Sequence, residues 1–165
     1  GTNAVALGPF VAEQLDPSLS WTDVEEFRSM WPGTFMVKGV QDVEDAKIAA
    51  DIGCDAVALS NHGGRQLDAS PAPFELLPET VDAIGDRAEI LVDGGIRRGA
   101  DIAKAVALGA TACMGGRAYL YGLGAGGERG VDTALGFLHD ELERTLKLIG
   151  ASAVSDLGPD WIRPS

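Results

Sequence analysis

The sequence predicts an α/β fold, a parallel sheet in which each strand is followed by a helix. Three observations predict it. Short, continuous apolar runs of the kind buried on both faces alternate with longer segments that carry apolar residues on one helical face. Glycines stand where the helical segments stop. Each apolar run ends in polar or glycine-rich sequence, and in parallel α/β architectures ligands are handled at the strand ends.

The elements follow in order. Residues 1–15 lack periodicity and contain Gly8 and Pro9, so a loop is expected there. Ser20 is placed to cap a first helix, with Asp23 three residues on. Val24, Phe27 and Met30 share a face of that helix, and Pro32-Gly33 ends it. Residues 35–38 read as the first strand. Residues 42–52 read as a helix with Val43, Ala46, Ile48 and Ala49 apolar, closed by Gly53. Ala56-Val57-Ala58-Leu59 is the second strand. A long loop runs through Pro73 to a helix over about residues 75–84. Residues 89–92 form the third strand, 99–108 a helix closed by Gly109, and 111–114 the fourth strand. A glycine-rich connection is expected up to Gly130. After it comes a helix over about 131–149, with Leu135, Leu138, Leu142, Leu146 and Ile149 along one stripe. Four such units suit a small open doubly wound sheet or half of a (β/α)8 barrel, and the pattern leaves both open.

A chain of 165 residues can bury one hydrophobic core. Its apolar fraction of 45% and charged fraction of 23% are those of an ordinary globular protein. A net charge of −12 excludes nucleic-acid binding by bulk electrostatics, and no basic amphipathic stretch invites anionic lipid. Cys54 and Cys113 lie in apolar segments beside strands and read as small buried hydrophobes; a zinc site needs more ligands at closer spacing. The start at Gly1-Thr2-Asn3, without an initiator Met, is expected of a fragment or a processed chain.

The chemistry is expected at the strand ends. The third strand ends Asp93-Gly94-Gly95-Ile96-Arg97 and the fourth Gly115-Gly116-Arg117. Paired glycines expose peptide N–H groups, and an arginine just beyond can fork onto a phosphate. Two such loops side by side favour phosphate over plain turns with solvated arginines. The second strand ends Ser60-Asn61-His62-Gly63-Gly64-Arg65. A histidine can take a proton near neutral pH, and an arginine can grip a carboxylate. Together they suit deprotonation of a small acid held by its carboxylate. Lys38, at the end of the first strand, either reaches solvent or stabilises negative charge on a cofactor. His139, among Asp140, Glu141 and Glu143, belongs to a solvated helix face.

Lys38-Gly39, Ser60-Asn61-His62-Gly63-Gly64-Arg65-Gln66-Leu67-Asp68, Asp93-Gly94-Gly95-Ile96-Arg97-Arg98-Gly99 and Gly116-Arg117-Ala118-Tyr119-Leu120-Tyr121-Gly122 resemble the FMN-dependent α-hydroxy-acid dehydrogenases. That family includes flavin-type L-lactate dehydrogenases, glycolate oxidase and mandelate dehydrogenase. The resemblance covers roughly residues 16–150. It implies that these are the last four β/α units of a TIM (β/α)8 barrel, with residues 1–15 the remnant of a mobile loop and 151–165 a tail. It also implies roles: His62 as catalytic base and substrate contact, Arg65 as carboxylate anchor, and Lys38 beside the flavin pyrimidine edge. Ser60 and Gly63 would contact FMN, while Asp93, Gly94, Gly95, Arg97, Gly116 and Arg117 would hold its ribityl chain and phosphate. The implied function is FMN-dependent oxidation of a small L-2-hydroxy acid, lactate foremost, to the 2-keto acid.

The family's first four strands are not in these 165 residues. They carry a substrate-binding tyrosine and the aspartate that orients the histidine. The chain alone is therefore expected to be inactive, and to pair with the missing N-terminal half or to self-associate as a homo-oligomer. A cytoplasmic location is expected, with peripheral contact at the inner membrane face left open by the loop that touches membrane in some bacterial relatives. Two other readings stand beside this one. The first is another FMN- or NAD-linked barrel, which would lack the His62/Arg65 pair. The second is a catalytically silent half-barrel that binds FMN or phosphate, which a holoprotein bleached by L-lactate would exclude.

Overall fold

A computed structural model describes residues 16–163, so the loop expected over 1–15 lies outside the described residues. The chain divides into two units, 1–32 and 33–165. In the first, α1 (Trp21–Met30) starts at Ser20, whose backbone N–H and hydroxyl both donate to Asp23 Oδ2, at 2.7 and 2.6 Å. No residue of α1 is buried, and Phe27 and Met30 of the expected apolar face stand exposed.

The second unit contains β1 (Met36–Val40), α2 (Val43–Ile52), β2 (Ala56–Leu59), α3 (Pro73–Ile84), β3 (Glu89–Asp93), α4 (Gly99–Ala107), β4 (Ala112–Met114) and α5 (Arg117–Ile149). All strand pairs are parallel, in the order β1-β2-β3-β4. Every connection steps to the next strand in the same direction. Because β-α-β crossovers are right-handed, α2, α3 and α4 fall on one face of the sheet. A doubly wound sheet reverses its strand order and a barrel does not, so this order removes the ambiguity that the sequence pattern left.

The core follows from the apolar runs. All four residues of β2 are buried, since β1 and β3 flank it. Val57, Leu59, Ile90 and Val92 of the sheet and Leu77 and Ile84 of α3, which packs on β2 and β3, are all buried, each large side chain contributing about 1.5–3 kcal/mol. The helix starts and stops are local chemistry. Asp42 Oδ1 accepts from Glu44 N at 2.7 Å to cap α2, and Gly53 closes it at φ 87°. Pro73, expected as the last loop residue, opens α3 instead, because its missing N–H costs nothing in the first turn.

Three expectations need correction. β1 runs on past Lys38 to Val40, with a register shift where Gly39 takes φ 99°. The connection expected up to Gly130 is helical from Arg117 and interrupted only at Gly126 and Gly127. Two of its glycines serve close packing: a Cβ on Gly130 would overlap the carbonyl oxygen of Gly122, where the two limbs of α5 meet. The stripe on α5 is only partly covered, with Leu138, Leu142 and Leu146 half-buried and Leu135 and Ile149 exposed. What α5 does cover is α4, so closely that a Cβ on Gly99 would overlap the backbone at Leu142. Residues 151–163 add two short 3-10 turns, the second lying against α4.

Candidate active site

The strand ends converge on a cavity of about 490 Å³, of the size that takes a small ligand. It is lined by Lys38, His62, Gly63, Arg65, Asp93, Gly94, Gly95, Arg97, Gly116 and Arg117 among others. Of the residues expected at the site, Ser60 alone does not line it. Ser60 is 1% exposed and lies behind the Lys38–Asp93 pair. Ile96, Met114, Ala118, Leu120 and Tyr121 also line the cavity. All but Met114 stand inside the motifs quoted from the sequence, but none was given a role there. Their one signal was position beside the glycine-rich strand ends.

Each polar group has a structural reason for its place. Lys38 Nζ stands 2.5 Å from Asp93 Oδ2 and 3.3 Å from Ser60 Oγ. Ser60 Oγ donates to the same carboxylate oxygen at 2.8 Å. Burial raises the Asp93 pKa, but the hydrogen bonds from Lys38 and Ser60 and the Lys38 charge outweigh it, leaving the carboxyl below its ordinary range. The loop after β2 turns sharply: His62, Gly63 and Gly64 have φ of 56°, 69° and 71°. Two glycines make that affordable, and histidine is among the side chains that tolerate the left-handed region. The turn is pinned at Gly63, whose N–H donates to Asn61 Oδ1 at 3.1 Å. Arg117, at the start of α5, donates from Nη2 to the Gly63 carbonyl at 3.1 Å.

The loop after β3 passes through Gly94 at φ 132° and Gly95 at φ 78°. It is tied to α4 by Asp101 Oδ2, which accepts from the backbone N–H groups of Arg97 and Arg98 at 3.0 and 2.9 Å. Arg98 points away and pairs with Glu141 of α5, leaving Arg97 to the cavity.

The electrostatic result is pronounced for a chain of charge −12. Lys38, Arg65, Arg97 and Arg117 line the cavity, and Asp93 is the single carboxylate among its lining residues. Among the described residues the Arg65 guanidinium has no ion pair, and the His62 imidazole has no hydrogen-bond partner. A cavity so lined concentrates field for anions. Two arginines beside side-chain-free glycines and a helix start suit phosphate, and Arg65 with His62 suits a carboxylate bearing a transferable proton. Among the described residues no cluster of His, Cys, Asp or Glu is placed to hold a metal ion, and no helix is long and apolar enough to cross a membrane.

Such a fold and site define a β/α-barrel segment whose strand ends carry a cationic, glycine-lined cavity. The chain belongs to the FMN-dependent dehydrogenase family, which it matches over residues 1–164. FMN is that family's cofactor, and the donor set of the cavity fits it. The chain is 50% identical over 143 residues to the pre-mycofactocin synthase of Mycobacterium tuberculosis, covering 87% of this chain and 36% of that protein. It is 45% identical over 148 residues to the L-lactate dehydrogenase of Caulobacter vibrioides, covering 90% of this chain and 39% of that one. The structure of (S)-mandelate dehydrogenase, described as a monotopic membrane protein, superposes with a TM-score of 0.90 at 42% identity, over 99% of this chain and 43% of that chain. The chain thus spans about two fifths of the length of the relatives it matches, and its four β/α units are the C-terminal part of a TIM barrel. Two of these relatives are named as dehydrogenases of the hydroxy acids lactate and mandelate, in keeping with the expected class.

Proposed function

We propose that this chain supplies the acid–base and phosphate-binding part of a site that oxidises a small L-2-hydroxy acid, with lactate the leading substrate, to the 2-keto acid. The observation that carries this reading is the meeting of His62, Arg65 and Lys38 with the Gly94-Gly95-Arg97 and Gly116-Arg117 loops in one cationic cavity. Arg65 grips the substrate carboxylate and fixes which face of the acid is presented. His62 takes the proton released as the hydroxy acid becomes a keto acid. Arg97 and Arg117 hold the FMN phosphate, and Gly94, Gly95 and Gly116 let the backbone come close to the chain above it. Lys38, held by Asp93, sets positive charge where the flavin ring would gain electrons. When bound, FMN supplies the two-electron acceptor, and the protein supplies position and charge.

The same reading explains the partnerless imidazole. A base needs a hydrogen-bond partner that fixes its tautomer, and among the described residues none bonds the His62 imidazole, although the Asp93 carboxylate is close enough to feel its charge. The 165 residues therefore require the other half of the barrel, which we assign as the partner of the open sheet edges at β1 and β4. The test is dye reduction by L-lactate with FMN present. The chain mixed with the N-terminal half of a relative should turn over, and the chain alone should not. Turnover by the chain alone would overturn the need for a partner. Absence of 2-hydroxy-acid oxidation by the reconstituted, yellow barrel would overturn the reading itself.

A further inference from the structure

We propose that Ser60 is a positioning residue for the base: its hydroxyl holds the His62 peptide in its left-handed turn and ties it to the Lys38–Asp93 pair. The proposal rests on the reading of His62 as the base.

A hydroxyl has one proton to give and two lone pairs to receive. At Ser60 all three are spent inside the protein. The proton goes to Asp93 Oδ2 at 2.8 Å, and the lone pairs face His62 N–H at 3.1 Å and Lys38 Nζ at 3.3 Å. The side chain is 1% exposed and does not line the cavity, yet its three partners all do. Satisfying a buried hydroxyl takes only one bond, and Thr80 nearby in the core does so with the Leu76 carbonyl. Ser60 instead joins Lys38 of β1 and the end of β3 to the loop that leaves β2.

That loop has reason to need fixing. His62 has φ 56°, which histidine adopts more readily than most side chains but at a cost that glycine does not carry, and Gly63 and Gly64 continue in the same region. Left-handed residues ordinarily occur singly, so three in succession persist only when their surroundings over-determine them. Ser60 and Asn61 do so through two successive side-chain bonds, Ser60 Oγ to His62 N–H and Asn61 Oδ1 to Gly63 N–H. The His62 φ sets where the imidazole points. Losing the Ser60 hydroxyl frees that peptide and leaves Arg65, outside the network, in place.

The test uses Ser60→Ala in two measurements. By NMR on the chain, the His62 amide should exchange about tenfold faster or more, while the Leu59 and Val92 amides in the sheet keep their protection. In the FMN-loaded reconstituted barrel, kcat should fall about 10- to 100-fold, as expected for a base misplaced by a fraction of an ångström to an ångström, with KM for the hydroxy acid within about threefold. Unchanged His62 exchange, an unchanged kcat, or a KM that rises as kcat falls would each overturn the role. Loss of protection throughout the sheet would make Ser60 a structural residue and would overturn it equally. A parent barrel that oxidises no 2-hydroxy acid sinks the proposed function instead, and that is seen before any substitution is made.

Discussion

Lys38 Nζ stands 2.5 Å from Asp93 Oδ2, so the middle of β1 and the end of β3 are joined across the strand between them. The pair is half-sheltered, and Ser60 completes it from below. A lysine fixed this way presents its charge to the cavity from a defined point instead of sweeping through solvent.

The pair makes stability depend on acid pH. Asp93 is held below its ordinary value of 3.8, burial being outweighed by Lys38 and Ser60. A carboxylate whose pKa is lowered by folding adds stability at all pH values above its unfolded pKa. That contribution is lost as pH falls through the lower, folded value. Asp93→Asn should therefore cost about 1–2 kcal/mol at pH 7, the lower part of the range for a charge-assisted bond because Lys38 is partly exposed. The difference from the parent should hold down to about pH 4 and shrink below it. Urea unfolding at pH 7 and pH 3 checks this.

Arg65 and His62 should separate binding from turnover. Arg65→Lys keeps the charge but loses the two-pronged grip, so KM for the hydroxy acid should rise about 10- to 100-fold with a smaller fall in kcat. His62→Gln should lower kcat by about 100- to 10,000-fold with FMN still bound. Steady-state kinetics of the reconstituted barrel, with flavin absorbance as the loading control, distinguishes the two patterns.

The parallel sheet was legible in the sequence because its strands are short apolar runs bounded by capping residues, and β2 over 56–59 was read to the residue. The cavity was legible because glycine pairs and arginines stand at successive strand ends. Ser60 was the exception: its place in the motif suggested a flavin contact, but only the fold brings Lys38 and Asp93 to its hydroxyl from 22 and 33 residues away. The first limb of α5 was missed for a different reason. Seven glycines between Gly115 and Gly130 oppose a helix by propensity, and the gain that offsets them is a tertiary contact. Leu120 and Tyr121 were quoted in the motif but given no role, since a connection presents no face.

That contact makes the glycines unequal. A Cβ on Gly130 would overlap the carbonyl oxygen of Gly122, whereas one on Gly124 would meet nothing within 4 Å. Gly130→Ala should destabilise by about 1–3 kcal/mol through overpacking. Gly124→Ala should be neutral or stabilising by up to about 1 kcal/mol, because alanine loses less entropy in a helix. Thermal unfolding should show a lowered midpoint for Gly130→Ala and no lowering for Gly124→Ala, and equal gains in the two would mean that propensity, not packing, decides their effect.

Arg117 joins the start of α5 to the turn that carries His62. Its Nη2 donates to the Gly63 carbonyl at 3.1 Å, and its guanidinium lines the cavity at the start of α5. A guanidinium has five N–H donors, so a phosphate can be gripped without releasing Gly63. A bound phosphate then fixes the arginine, and the arginine fixes the turn that carries His62. Arg117→Ala should weaken FMN binding about tenfold or more, the loss of a charge-assisted hydrogen bond worth about 1.5–3 kcal/mol. Arg144→Ala, on the exposed part of α5, should leave it unchanged. The coupling predicts more than affinity. FMN should slow amide exchange at residues 62–64 in the parent protein. At FMN concentrations that saturate both proteins, it should slow it less in Arg117→Ala. Equal protection in the two would show that the phosphate loop and the catalytic turn are set independently.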